Sequence, residues 1–202
     1  MSGVLLPLVY LPNVYWFKNF LLRESALIER EENFMKGTWR NRCEIAGANS
    51  RQLLSIPLKG GRDHHRLYKE VKIDYTVHWQ KNHWQSIKSA YGSSPFYEHY
   101  EHKFYPLYQT QIDWLFDFNT ELLKLVLQIL KTEKRIEFTS TFNKEVAGII
   151  DLRKTKANHE ADFKNPHYLQ PFETKNGFLP NLSIIDVIFN LGPAAKTYLT
   201  NI

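Results

Sequence analysis

"VLLPLVYLPNVYWFKNFLL", residues 4–22, is the stretch that decides the fold. Residues 4–11 are a short apolar run, which reads as a buried strand, and Pro12-Asn13 ends it in a turn. Residues 14–22 then carry aromatic and apolar side chains at helical spacing. Strand, loop and helix thus follow one another at the very start, and residues 26–29 read as a second strand. Working outward, residues 43–46 and 52–58 flank the turn signal "GANS" and read as two strands. Residues 71–75 alternate apolar and polar, as a half-buried strand does. The period changes at Trp79: Trp79, His83, Trp84, Ile87 and Tyr91 recur at helical spacing, and Gly92 closes the run. Ser94-Pro95 starts another helix, which stops before Pro106. Residues 111–131 form the longest helical pattern, with a break expected near Asn119-Thr120. Strands over 136–141 and 146–152, a polar loop over 154–166, a helix over 183–191 stopped by Gly192-Pro193 and a half-helix over 194–199 complete the chain. Strands and helices mixed in this order predict an α/β fold, with a mostly parallel sheet flanked by helices and a helical mid-chain section. One domain over residues 1–202 is expected at this length.

Composition narrows the partners. A net charge of +5 favours anions, but the 26 basic residues are dispersed among 21 acids, so no polybasic tail or nucleic-acid stripe is expected. No segment reaches the roughly 20 apolar residues of a membrane helix. The lone Cys43 cannot form an internal disulfide or a cysteine-based zinc site, which points to a reducing, cytoplasmic setting. The first apolar run lacks a basic leader and a small-residue cleavage site, so it is not read as a signal peptide.

Three groups of residues carry chemistry. In "KGTWRNRCEI", residues 36–45, a guanidinium can grip phosphate or carboxylate with two parallel hydrogen bonds. If residues 39–42 are extended, Arg40 and Arg42 share one face and Trp39 and Asn41 the other, which suits a diphosphate. The competing reading is an internal ion pair with Glu29, Glu31, Glu32 or Glu44. Cys43 beside an apolar strand reads as a buried, inert thiol. The first strand–loop–helix has neither a glycine triplet nor a P-loop lysine, so it reads as an ordinary βα unit. His99 and His102 lie three apart but lack a third ligand, and His64-His65 read as solvated loop residues, so no metal site is expected. In residues 165–192, His167, Tyr168 and Gln170 precede a helix on which Ser183, Asp186 and Asn190 form a polar stripe. That stripe is either the solvent face or the lining of a site.

"KGTWRNRCEI", "LLSIPL", "W…HW…I…AYGSSPFYEHY" and "HYLQPF…FLPNLSIIDVIFNLG", in this order, make the sequence resemble the WbqC-like protein family. The resemblance implies a bacterial cytoplasmic protein of surface-polysaccharide, O-antigen or modified-sugar biosynthesis, with a transferase acting on a nucleotide-linked aminosugar as the expected activity. It carries motif positions onto Trp39, Asn41 and Arg42, and onto Tyr168, Gln170, Phe172, Ser183, Asp186, Asn190 and Gly192, without assigning roles. The expectation is a group-transfer enzyme on an activated sugar. Trp39, Arg40, Asn41, Arg42, Tyr168, Gln170, Ser183 and Asn190 would bind substrate, and Asp186 or His167 would act as base or orienting group. The ligand expected is an anionic small molecule such as a nucleotide sugar, with no cofactor indicated. The alternative is a non-catalytic binding or scaffold protein of a glycan-assembly complex.

Overall fold

The computed structural model describes residues 3–60, 66–154 and 163–202. His64-His65 and the middle of the 154–166 segment lie outside the described residues. A four-stranded sheet is built from β1 (Gly3–Pro7), β2 (Ala26–Glu29), β5 (Glu137–Phe138) and β6 (Ile149–Asp151), in the order β5-β2-β1-β6, with every pairing parallel. The central strand β1 explains the unbroken apolar run: Val4, Leu5 and Leu6 are all buried, because both faces of the strand are covered. Each such side chain contributes roughly 2 kcal/mol on burial. A separate antiparallel hairpin, β3 (Arg42–Ala46) and β4 (Arg51–Ser55), pairs Cys43 with Leu54 and Ile45 with Gln52.

Helix α1 (Val14–Leu22) starts where Asn13 accepts a hydrogen bond from the Trp16 amide, an N-cap. It packs on α6 (Ile184–Leu191) and α7 (Ala195–Thr200). The mid-chain section supplies α2 (Trp79–Tyr91), α3 (Tyr97–Phe104) and α4 (Leu115–Ile129), and a four-residue helix, α5 (Glu173–Asn176), precedes α6. Helix α2 faces the core with Trp79, His83, Ile87 and Tyr91, the spacing that announces it in the sequence. Helix α6 ends at Gly192, which has φ 51° and whose Cβ would meet the Phe96 ring at 2.4 Å, so only glycine fits. Among the described residues no helix is long and apolar enough to cross a membrane.

Four local expectations are corrected. Residues 71–75 do alternate, with Val71 and Ile73 buried, yet they meet neighbours only through isolated bridges, Leu58 with Ile73 and Lys72 with Trp114. Alternation there reports a buried face, not a strand. Helix α4 is unbroken at Asn119-Thr120. The Thr120 hydroxyl shares the Phe116 carbonyl with the ladder without breaking it, and Asn119 turns its amide away to the Arg40 carbonyl and the Tyr68 hydroxyl. Ser94 does not cap α3, which begins at Tyr97 after Phe96. Residues 39–41 are a 3-10 turn rather than extended chain, and this decides the site below.

Candidate functional site

Beyond the carboxyl ends of β1 and β6 lies a cavity of about 360 Å³. Leu6 and Pro7 close β1 against it, and Leu152 and Arg153 follow β6 into it. β1 carries β2 on one side and β6 on the other, so the cavity occupies the crevice at which open α/β sheets bind ligands. Its remaining walls come from the loop after β1 (Val9 to Asn13), the start of α1 (Tyr15, Trp16), residues 38–40 and 42–44, Phe163 and Pro180 to Asn181. Tyr15 meets Phe163 edge-on at 5.3 Å. Among the described residues, two of the three non-glycine positions with positive φ line the cavity, Leu11 at 42° and Asn181 at 55°. Backbone held in such conformations clusters at binding sites.

The 3-10 turn splits the two arginines. Arg40 turns inward, 2% exposed, and grips Glu32 with two hydrogen bonds, Nε to Oε1 at 2.8 Å and Nη2 to Oε2 at 2.7 Å. It also reaches the Thr38 hydroxyl and the Arg153 carbonyl. Burial pushes Glu32 above its ordinary range, against the pull of Arg40. Arg153 likewise holds Glu29 at 2.7 Å and Asp151 at 2.6 Å. Arg51 binds Glu44 at 3.0 Å and the Pro180 carbonyl at 2.5 Å. Arg42 is different. It lines the cavity, it makes no ion pair among the described residues, and its buried Nε has no hydrogen-bond partner. Trp39, on the same wall, also has a buried, unpartnered Nε1–H. An unmet buried donor is costly, and two on one cavity wall are what an acceptor ligand would satisfy.

The expectation that Arg40 and Arg42 share an anion-binding face is therefore corrected: Arg40 is a buried structural ion pair, and Arg42 is the cavity arginine that makes no ion pair among the described residues. Asn41 also turns inward. Its amide donates to the Ile56 carbonyl while its own carbonyl accepts from the Ile56 amide, which fixes the start of the hairpin.

The α1 N-terminus offers no free amide in its first turn. The Val14 amide donates to the Leu182 carbonyl, that of Tyr15 to Asn181 Oδ1, and that of Trp16 to Asn13 Oδ1. The missing glycine triplet has its structural counterpart here, since no backbone is left to cradle a pyrophosphate.

The 165–192 residues gather elsewhere. Asp186 is 0% exposed and does not line the cavity. It accepts from the Tyr168 hydroxyl and, at 2.9 Å, from Gln170 Nε2, both at Oδ2, and the buried Tyr91 hydroxyl also interacts with the carboxylate. Burial raises its pKa to about 6, against the lowering effect of these donors. Asn190 bonds back to the Asp186 carbonyl. Ser183 does line the cavity, but its hydroxyl is spent on the Leu11 carbonyl. The stripe of Ser183, Asp186 and Asn190 is thus neither a solvent face nor a single site lining: all three are buried. His167 is exposed, bonded to Glu173 and tilted against the Phe178 ring.

Sequence reasoning passed over Tyr10, Tyr15, Arg51 and Arg153, and weighed Glu44 only as an ion-pair partner for the arginines. Glu44 was readable: two residues after Arg42 on β3, it faces the same side. Tyr10 heads a buried chain, with its hydroxyl 3.0 Å from His83 Nδ1 and 2.7 Å from the Tyr108 hydroxyl. Burial lowers His83 to about 4, so the ring is neutral at pH 7. Among the described residues no cluster of His, Cys, Asp and Glu could hold a metal ion. Cys43 is buried, and burial pushes its thiol well up.

A sequence model described as the WbqC-like protein family matches residues 9–160. The chain is also 23% identical to Uncharacterized protein Rv1507c of Mycobacterium tuberculosis over 217 residues, covering 94% of each chain. No solved structure matches.

Proposed function

The chain belongs to the WbqC-like protein family, linked to polysaccharide biosynthesis, and from that premise we propose that it is a group-transfer enzyme acting on an activated, nucleotide-linked sugar held in the cavity beyond β1 and β6. The observation that carries the proposal is Arg42, an unpaired guanidinium on the wall of an aromatic-lined cavity at the ligand-binding edge of a parallel sheet. Arg42 supplies the charge that binds the anionic part of the sugar donor. Trp39 adds a second donor and, with Tyr15 and Phe163, a surface for a sugar or base ring. Asp186 and His167 lie away from the cavity, so the proposal rests on Arg42 and Trp39 instead. Glu44 is the one carboxylate among the described cavity residues, placed to take a proton from an attacking amine or hydroxyl.

A thermal-shift screen of nucleotides and nucleotide sugars tests the reading. At ligand concentrations of about 100 times Kd, stabilisation amounts to about 2.7 kcal/mol and moves the melting temperature by several degrees. The shift should disappear in Arg42→Ala. If no such compound stabilises the protein at millimolar levels, the proposal fails.

A second reading, a non-catalytic binding or scaffold protein of glycan assembly, draws support from Glu44 being engaged by Arg51. In-cell complementation of polysaccharide assembly separates the two. An enzyme loses function in both Arg42→Ala and Glu44→Gln. A binding protein loses it in Arg42→Ala alone.

A further inference from the structure

We propose, resting on the reading above, that the cavity receives one anionic group, a single phosphate or a carboxylate, held between Arg42 and Trp39, and that a second phosphate on the same ligand gains nothing inside it. Four observations converge on this. First, the cations of the wall are already spent: Arg40 on Glu32, Arg153 on Glu29 and Asp151, and Arg51 on Glu44. Only Arg42 is uncommitted among the described arginines of the cavity. Second, the two unpartnered buried donors, Arg42 Nε and Trp39 Nε1, suit a compact group with several acceptor oxygens. Third, the first-turn amides of α1, where a pyrophosphate would otherwise sit, donate to Asn13, Asn181 and Leu182. Fourth, Glu44 lies two residues from Arg42 on the same strand face, about 6.6 Å along the chain, so a second anion extending that way meets a carboxylate. The cavity volume of about 360 Å³ sits at the small end of the ~300–1,000 Å³ typical of ligand sites, which also fits a sugar with one anionic group. A nucleotide attached to such a sugar keeps its remaining phosphate outside the Arg42 pocket.

Isothermal titration of the full chain with inorganic phosphate, inorganic pyrophosphate, a hexose 1-phosphate, a hexuronate and a uridine diphosphate hexose tests this. A second phosphate that found its own cation or amide pair would tighten binding by about tenfold or more. The expected result is pyrophosphate within about threefold of phosphate, and the hexose 1-phosphate or hexuronate tighter than either inorganic anion. Whichever of those two sugars wins identifies the anion as phosphate or carboxylate. Arg42→Ala should cost at least about tenfold for every binding probe, with Arg42→Lys recovering part of it. Unchanged melting of both variants checks that they fold. Pyrophosphate binding more than about tenfold tighter than phosphate, or affinity that survives Arg42→Ala, overturns the inference while leaving an anion-binding cavity in place. If none of the five binds, the group-transfer reading falls and the inference with it.

Discussion

Replacing Asp186 with Asn should change how the protein responds to pH more than how well it folds at any one pH. The carboxylate is wholly buried, and burial lifts its pKa from 3.8 to about 6. Between those values the folded protein holds a proton that the unfolded chain has released. This contribution to stability is therefore fully present below about pH 4 and is lost as pH rises through 6. A displacement of about two units corresponds to about 3 kcal/mol. Asn has no such titration. One carboxylate oxygen accepts both the Tyr168 and Gln170 bonds, so an Asn amide oxygen in that position keeps both, and the Asn amide nitrogen faces the Tyr91 hydroxyl, which can accept as well as donate. The stability of Asp186→Asn relative to the wild type should accordingly rise by about 3 kcal/mol between pH 4 and pH 7. Urea unfolding at pH 4, 5, 6 and 7, followed by tryptophan fluorescence, measures it, provided the m-value is the same for both proteins. A difference that stays flat across this range, or shrinks as pH rises, refutes the reasoning.

His83 should show the opposite slope in the same window. Its pKa is lowered from 6.5 to about 4 by burial, so its contribution is present above pH 6.5 and lost as pH falls through 4, and His83→Gln should gain on the wild type by about 3 kcal/mol in that descent. Arg40→Met leaves Glu32 buried without its partner and should cost about 3–5 kcal/mol in urea unfolding at pH 7. Arg42→Ala, two residues away, should lie within about 0.5 kcal/mol of the wild type in the same experiment, since no ion pair is broken. Glu44→Gln removes the carboxylate beside the anion pocket and releases Arg51, so pyrophosphate should gain several-fold on phosphate in a calorimetric titration. Cys43 should react with a thiol reagent only at the rate of unfolding, as monitored by absorbance.

The fold was legible wherever a local pattern and the tertiary environment agree. The start of the chain reads as strand, helix and strand, and these are found; the strand is shorter than the apolar run 4–11, ending at Pro7, because residues 8–11 are buried as a loop, and Asn13, read as part of a turn, also caps the helix. Helix α2 is equally plain from the spacing of its buried face. Legibility fails where partners come from far along the chain. Arg40 and Arg42 look equivalent in sequence, and only a three-residue turn sends one to Glu32 and the other to the cavity. The polar stripe of α6 looks like a surface until Tyr168, Gln170 and Leu11 are placed against it. The strands expected over 136–141 and 146–152 are present but shorter, β5 at two residues and β6 at three, because pairing with β2 and β1 rather than local pattern sets their bounds.

The bonds that occupy the α1 N-terminus also set an order of events. Asn13 bridges to Ser183, the Ser183 amide reaches the Glu44 carbonyl, and the Ile184 amide reaches the Pro12 carbonyl, joining segments some 140–170 residues apart. During synthesis, at about 5–20 residues per second, the first strand and helix wait on the order of ten seconds or more for those partners to be made. Contacts of such long range are entropically costly to close and tend to form late. The cavity is therefore finished at the end of folding, so the binding proposed for it would report that the chain has closed on itself, and a nascent or truncated chain lacking residues 181–184 would not form it even with Arg42 and Trp39 intact.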